Sequence, residues 1–157
     1  MQGPEDNYSE AKIQQIAFAE IRNEFPETYG CFYHVPNGGL RDKKTASRLK
    51  AQGVVPGVQD LHFIWEGKLY LIEVKDVDGQ VTPAQKAIHA QHKAHGLDTY
   101  IFRTSQQIIY FVRYIIQHRS LDGFKRFISP YSDAEKAEQY KQELAIYNLN
   151  QAQKKAA

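Results

Sequence analysis

Residues 55–75, VPGVQDLHFIWEGKLYLIEVK, constrain the fold more than any other stretch. A Pro-Gly pair opens the segment, Glu66-Gly67-Lys68 breaks its middle, and apolar residues alternate with polar ones on either side. That pattern predicts a hairpin with strands at 60–65 and 69–75. Successive strand residues face opposite ways, so Glu73 and Lys75 share a face and Val74 takes the other. Antiparallel strands joined by so short a turn bring Asp60, at the start of one, beside Glu73, at the end of the other. Two carboxylates and an ammonium then occupy one small volume. Hard divalent cations take oxygen ligands of this kind, and a lysine among them can position or deprotonate a water.

The flanks place this hairpin in an α/β chain. Ser9 caps a helix over Glu10–Glu24, with Tyr8 and Ile13 placed as a hydrophobic staple and Ile13, Ile16, Ala17, Glu20 and Ile21 on one side. Residues 31–35 read as a strand. Pro36-Asn37-Gly38-Gly39 reads as a loop that lets backbone come close to a ligand. A helix over 42–52 follows and ends at Gly53. Arg41, Lys43, Lys44, Arg48 and Lys50 lie in or beside it. Such a run is a solvated helix face or a grip on phosphates, and beside a glycine loop the two readings stand level. Thr82, Pro83 and Gly96 delimit the next helix, with Gln85 in its first turn. A strand at 99–103 precedes a helix capped by Thr104 or Ser105 and running to about residue 118, apolar on most sides and therefore buried. Ser132-Asp133-Ala134-Glu135 is a capping-box pattern. The stripe after it, Ala137, Tyr140, Leu144 and Tyr147, fits a helix folded back onto the domain more simply than one packed on a second subunit.

A single cysteine in 157 residues leaves no intramolecular disulfide and no multi-cysteine zinc site, and it fits a reducing compartment. Cys31, in its strand, is expected as a small core residue. No apolar run spans a bilayer and the first ten residues lack the features of a signal peptide, so no membrane partner is expected. Twenty Lys and Arg against eighteen Asp and Glu give +2, which by itself does not point to nucleic acid. His89, His92 and His95 recur every third residue. His95 drifts about 120° round the helix from His89 and lysines 86 and 93 are interleaved, so a solvent- or DNA-facing surface is the expectation and zinc the alternative.

An E-x-K triplet alone is a weak signal, because charged residues close many strands. Here an Asp stands thirteen residues upstream (73 − 60 = 13) behind a glycine-bearing turn, and a helix with an early Gln follows the Lys. Charges beside a core are penalised unless they pair with one another or with a metal. A structural salt-bridge cluster is the competing explanation.

The arrangement resembles the virus-type replication-repair nuclease (VRR-Nuc) domain, a branch of the PD-(D/E)xK nuclease superfamily. The matching pieces are Ser9-Glu10 with Gln14, Pro36-Asn37-Gly38-Gly39 with Arg41, residues 46–57 (ASRLKAQGVVPG), Asp60-Leu61, Glu73-Val74-Lys75 and Thr82-Pro83-Ala84-Gln85. Their order and spacing hold along about residues 9–103. One departure is visible: the family usually has Pro immediately before the Asp, and this chain has Gln59, which predicts a local backbone change with activity retained.

The resemblance implies a mixed central β-sheet flanked by helices, with an αβββαβ restriction-endonuclease-like core and an added C-terminal helix. Residues 1–119 would form the nuclease domain and 120–157 a helical extension on that domain or on a second subunit. It implies a Mg²⁺-dependent endodeoxyribonuclease, with Mn²⁺ able to substitute. Glu10, Asp60, Glu73 and the Val74 carbonyl would hold the metal, Lys75 would orient or activate the attacking water, and Gln85 would tie its helix to the site. Asn37, Gly38, Gly39, Arg41, Lys43, Lys44, Arg48 and Lys50 would contact DNA. Small stand-alone relatives look like homodimeric Holliday-junction resolvases, which implies branched DNA as substrate and the cytoplasm of a bacterial or phage-infected cell. Two other readings are a DNA-binding or assembly module with a vestigial nuclease site and a sequence-specific restriction enzyme. The intact Asp, Glu and Lys weigh against the first, and the lack of an evident recognition domain weighs against the second.

Overall fold

The computed structural model describes residues 5–37 and 42–157. Its four strands form one mixed sheet in the order β1-β2-β3-β4: β1 Phe32–His34, β2 Leu61–Trp65, β3 Lys68–Val74 and β4 Thr99–Phe102. The β1-β2 and β2-β3 pairs are antiparallel. β4 runs parallel to β3 because helix α3, Pro83–Ala94, returns the chain between them. The β2-β3 loop is Glu66-Gly67, with φ of 47° and 77°. Two positive values are what a tight turn matched to strand twist requires, and Gly67 adopts its value at no steric cost.

Helix α1, Glu10–Glu24, starts where Ser9 accepts the Lys12 N–H at 3.2 Å. Helix α2, Lys43–Ala51, starts where Asp42 accepts the Thr45 N–H. Helix α4 is Ser105–Ile116 and helix α5 Ala137–Ala156. The αβββαβ frame is therefore present, with α2 inserted between β1 and β2.

Strand alternation sends Phe32, Leu61, Phe63, Ile72, Val74 and Phe102 to one face, covered by Ile13, Ala17 and Ile21 of α1 and by Ile108, Phe111 and Val112 of α4. Each such side chain contributes roughly 1.5–3 kcal/mol by leaving water. Leu121, Phe124, Phe127 and Ile128 pack on the same core. Ile128 bridges Tyr100, and the Ser129 N–H donates to the Thr99 carbonyl at 2.7 Å. The outer edge of β4 is thereby covered. A boundary drawn at residues 119/120 thus falls inside one packing unit.

The second sheet face meets α3, and α5 lies over α3. Tyr140 is buried against Ala87 and Ala90, with Ala137 and Leu144 beside it. The stripe expected to run to Tyr147 stops at Leu144, since Tyr147 is exposed. The capping box expected at Ser132 does not form. Asp133, one residue later, accepts the Glu135 N–H and caps a short 3-10 turn, Ala134–Lys136, while Ser132 Oγ accepts the Thr99 N–H instead. Cys31 is also not the core residue expected: β1 begins only at Phe32, and Cys31 sits half-buried in the turn before it. Among the described residues no helix is long and apolar enough to cross a membrane.

Candidate active site

Register assembles the site. Leu61 pairs with Ile72, so one step further out Asp60 stands opposite Glu73. Asp60 is half-buried, and its Oδ2 accepts the Val74 N–H at 2.8 Å. Glu73 is 1% exposed and Lys75 5% exposed, on the sheet face opposite the aromatic core that takes Val74. Lys75 Nζ lies 3.5 Å from Glu73 Oε1 and 3.9 Å from Glu10 Oε1. Glu10, the first residue of α1, reaches the group from its side, where the helix N-terminus favours a carboxylate.

The loop after β3 closes round these residues. The Arg103 Nη1 donates to the Asp76 carbonyl at 2.6 Å and to the Gly79 carbonyl at 2.9 Å. Gly79 is pressed so close that a Cβ there would stand 3.1 Å from Asp76 Oδ1 and 3.2 Å from Glu10 Oε1. From the other side, Gln85 Nε2 donates to Glu73 Oε1 at 2.7 Å. Gln85 is fixed in turn by the capping box of α3, its Oε1 accepting the Thr82 N–H and its own N–H donating to Thr82 Oγ1. Gly57, at φ +90°, lets the preceding loop lie against the Ala84 and Gln85 backbone.

Crowding carboxyls in a desolvated pocket raises their affinity for protons. Burial pushes Asp60 up to about 7, and the neighbouring Glu73 adds to it. Burial pushes Glu73 up to about 7 as well, against the opposing pull of Lys75. The two carboxyls influence each other and titrate as a pair, which burial inclines to keep a proton near neutrality. Glu10 is raised too, by burial first.

That donor set suits a hard divalent cation. Glu73 Oε2 is buried without a hydrogen-bond partner. A bound cation would replace the proton that burial otherwise forces onto the pair. Among the described residues no three of Asp, Glu, His and Cys converge as a complete ligand cage. Mg²⁺ is commonly held by one or two carboxylates with waters and substrate phosphate filling the rest, so a two-carboxylate seat is sufficient.

The histidines depart from expectation. His89 is not a surface residue: it is fully buried, with Nδ1 2.8 Å from Ser129 Oγ and Nε2 3.9 Å from Glu73 Oε2. Burial, reinforced by Lys75, lowers its pKa to about 4, so it is neutral. His92 is half-buried and also lowered by burial, and only His95 is exposed. The sequence does hold a signal for His89, because it lies four residues after Gln85 and so on the same helix face. Gln59 is likewise fully buried: its Nε2 donates to Thr99 Oγ1 at 2.7 Å and its Oε1 has no hydrogen-bond partner. It anchors the loop before Asp60 to the start of β4.

Of the expected DNA contacts, Gly38, Gly39 and Arg41 lie outside the described residues. Asn37 Nδ2 donates to the Val55 carbonyl, which ties the two ends of the α2 segment together. Lys43, Lys44, Arg48 and Lys50 are all exposed, and no residue of α2 is buried.

No protein-family profile matches the chain, and no curated protein matches it. A solved structure described as a VRR_NUC domain protein superposes with a TM-score of 0.59 at 20% sequence identity, covering 76% of this chain and 94% of that one. The chain therefore has the VRR-Nuc fold.

Proposed function

We propose that the protein is a divalent-cation-dependent DNA endonuclease that hydrolyses phosphodiester bonds. The observation carrying this reading is the convergence of Asp60, Glu73 and Lys75 in one desolvated cluster, with Gln85 fixing the orientation of Glu73. The nuclease fold named for the solved neighbour supports it. Asp60 and Glu73 would hold Mg²⁺ or Mn²⁺ with the Val74 carbonyl, and Glu10 would complete the acidic set. Such a cation, when bound, neutralises charge developing on the scissile phosphate and lowers the pKa of a bound water. Lys75, between Glu73 and Glu10, orients the attacking water. Gln85 prevents Glu73 from rotating away, and the loop pinned by Arg103 shields the group from bulk water. The exposed cations of α2 grip the DNA backbone, which gives salt-dependent binding with little sequence preference.

Branched DNA is the proposed substrate and a homodimer the proposed assembly, since two-fold-related sites can meet two strands of a four-way junction. Beyond Leu144, α5 presents Ile146, Tyr147 and Leu149 to solvent, an apolar strip suited to a second copy. The proposed setting is the cytoplasm of a bacterial or phage-infected cell.

The test uses labelled four-way junction, flap, single-stranded and duplex DNA with Mg²⁺, Mn²⁺ or EDTA, comparing wild type with Asp60→Ala. Metal-dependent cutting of the junction by wild type alone is expected. Cutting of flap or duplex alone removes the junction preference. Tight metal-independent binding without cutting anywhere transfers the reading to an architectural module.

A further inference from the structure

His89 has no part in the chemistry above, yet its surroundings single it out. Its Nε2 and Glu73 Oε2 face each other at 3.9 Å, and neither has a hydrogen-bond partner. Two bare polar atoms in a dry layer each carry a desolvation cost, so such a pair calls for an explanation.

Ser129 and Glu73, on the two sides of the ring, together bear on which nitrogen carries the proton. The Ser129 Oγ accepts the Tyr131 N–H at 3.2 Å and lies 2.8 Å from His89 Nδ1. That leaves the hydroxyl one lone pair and one proton, so it can serve either tautomer, and with the proton pointed at Nδ1 it acts as the donor. Nδ1 then accepts, and the ring proton sits on Nε2. With a cation in place of the proton on the Asp60–Glu73 pair, the opposite tautomer would aim a nitrogen lone pair at the lone pairs of Glu73 Oε2. The remaining gap exceeds a direct hydrogen bond by about 1 Å, which a small side-chain shift closes.

Gln85 and His89 are four residues apart and project from one side of α3. Gln85 already donates to Oε1 of Glu73. We propose that His89 is a positioning residue whose Nε2–H holds Oε2 of the same carboxylate. α3 then fixes the plane of Glu73 at both oxygens, and Ser129 holds the far side of the ring at Nδ1. Each carboxylate oxygen keeps a second lone pair for a cation. The inference deepens the nuclease reading and rests on it for its metal-binding and kinetic arms.

Three measurements test it. Long-range ¹H–¹⁵N spectra of the wild-type protein are expected to show His89 protonated at Nε2 and bare at Nδ1. Calorimetric titration with Mn²⁺ is expected to show affinity falling about 10- to 100-fold in His89→Asn, whose amide reaches only the Nδ1 position. His89→Gln, which places a donor near Nε2, is expected to recover most of that loss. In DNA cleavage the Asn variant should lose kcat with an unchanged KM. An Nδ1–H tautomer overturns the inference, as does an Asn variant equal to wild type or an equal loss in both variants. A wild type that neither binds Mn²⁺ nor cuts DNA sinks the nuclease reading instead, and the tautomer spectrum then decides the Ser129–His89–Glu73 arrangement by itself.

Discussion

In metal-free protein, Glu73→Gln should raise thermal stability at pH 8 and leave it nearly unchanged at pH 5. The folded protein holds Glu73 up to about 7, against an ordinary value of 4.5. A raised carboxyl pKa contributes stability that is full below the unfolded value and lost as pH rises through the folded one. At pH 8 the whole difference of about 2.5 units is unfavourable, an upper figure of about 3 kcal/mol at 1.36 kcal/mol per unit. Asp60 shares the same proton, so the part removed by one substitution is smaller, on the order of 2 kcal/mol. For a chain of this length that corresponds to a gain on the order of 5 °C in Tm. The amide carbonyl that the substitution introduces still accepts from Gln85, and its NH2 group, in the place of Oε2, is met by His89 with its proton moved to Nδ1. The substitution also leaves Asp60 free to ionise against Lys75. His89, whose lowered pKa makes stability fall as pH drops from 6.5 towards 4, acts below the pH 7 to 8 range in which the two proteins differ most. Melts followed by circular dichroism in EDTA at pH 5, 6, 7 and 8 read the difference directly. A wild type more stable than the variant at pH 8, or a gap that does not change with pH, would refute the reasoning. Saturating Mn²⁺ should invert the order at pH 8 by stabilising wild type alone, by about 3 kcal/mol at a hundredfold excess over Kd.

Two other substitutions probe the frame round the site. Gly57→Ala would place a Cβ 2.6 Å from the Ala84 carbonyl carbon and oxygen at φ +90°, so urea denaturation should show a loss on the order of 3 kcal/mol; a variant as stable as wild type would contradict that packing. Lys43→Ala with Lys44→Ala should reduce the slope of log binding constant against log salt by about two for duplex DNA, and an unchanged slope would remove α2 from the DNA contact surface.

The site's acidic centre was legible because local rules build it. A tight turn fixes antiparallel register, register sets Asp60 opposite Glu73, and a period of two sends Glu73 and Lys75 away from the core. The bounds of α1 followed from Ser9 and Pro26 for the same reason. Gln85 was marked by its first-turn position in the helix after Lys75 and given a tie to the site by the resemblance, and its capping box with Thr82 supplies the rigidity that neither reveals.

The two buried polar contacts that escaped the sequence both join residues 40 apart: Gln59 with Thr99, and His89 with Ser129. Periodicity tells which residues of a helix share a face, but not whether something covers that face. α3 reads as a surface helix because histidines and lysines recur along it. It is covered because the sheet meets one side and Tyr140 of α5 the other. His89 falls inside that sandwich and Lys93 and His95 on its rim, although the three lie within seven residues. A C-terminal helix that looks like an appendage in sequence thus backs α3 on the face opposite the one from which Gln85 and His89 reach Glu73. Loosening its contact at Tyr140 would reach the carboxylate through α3 without altering any residue that touches it.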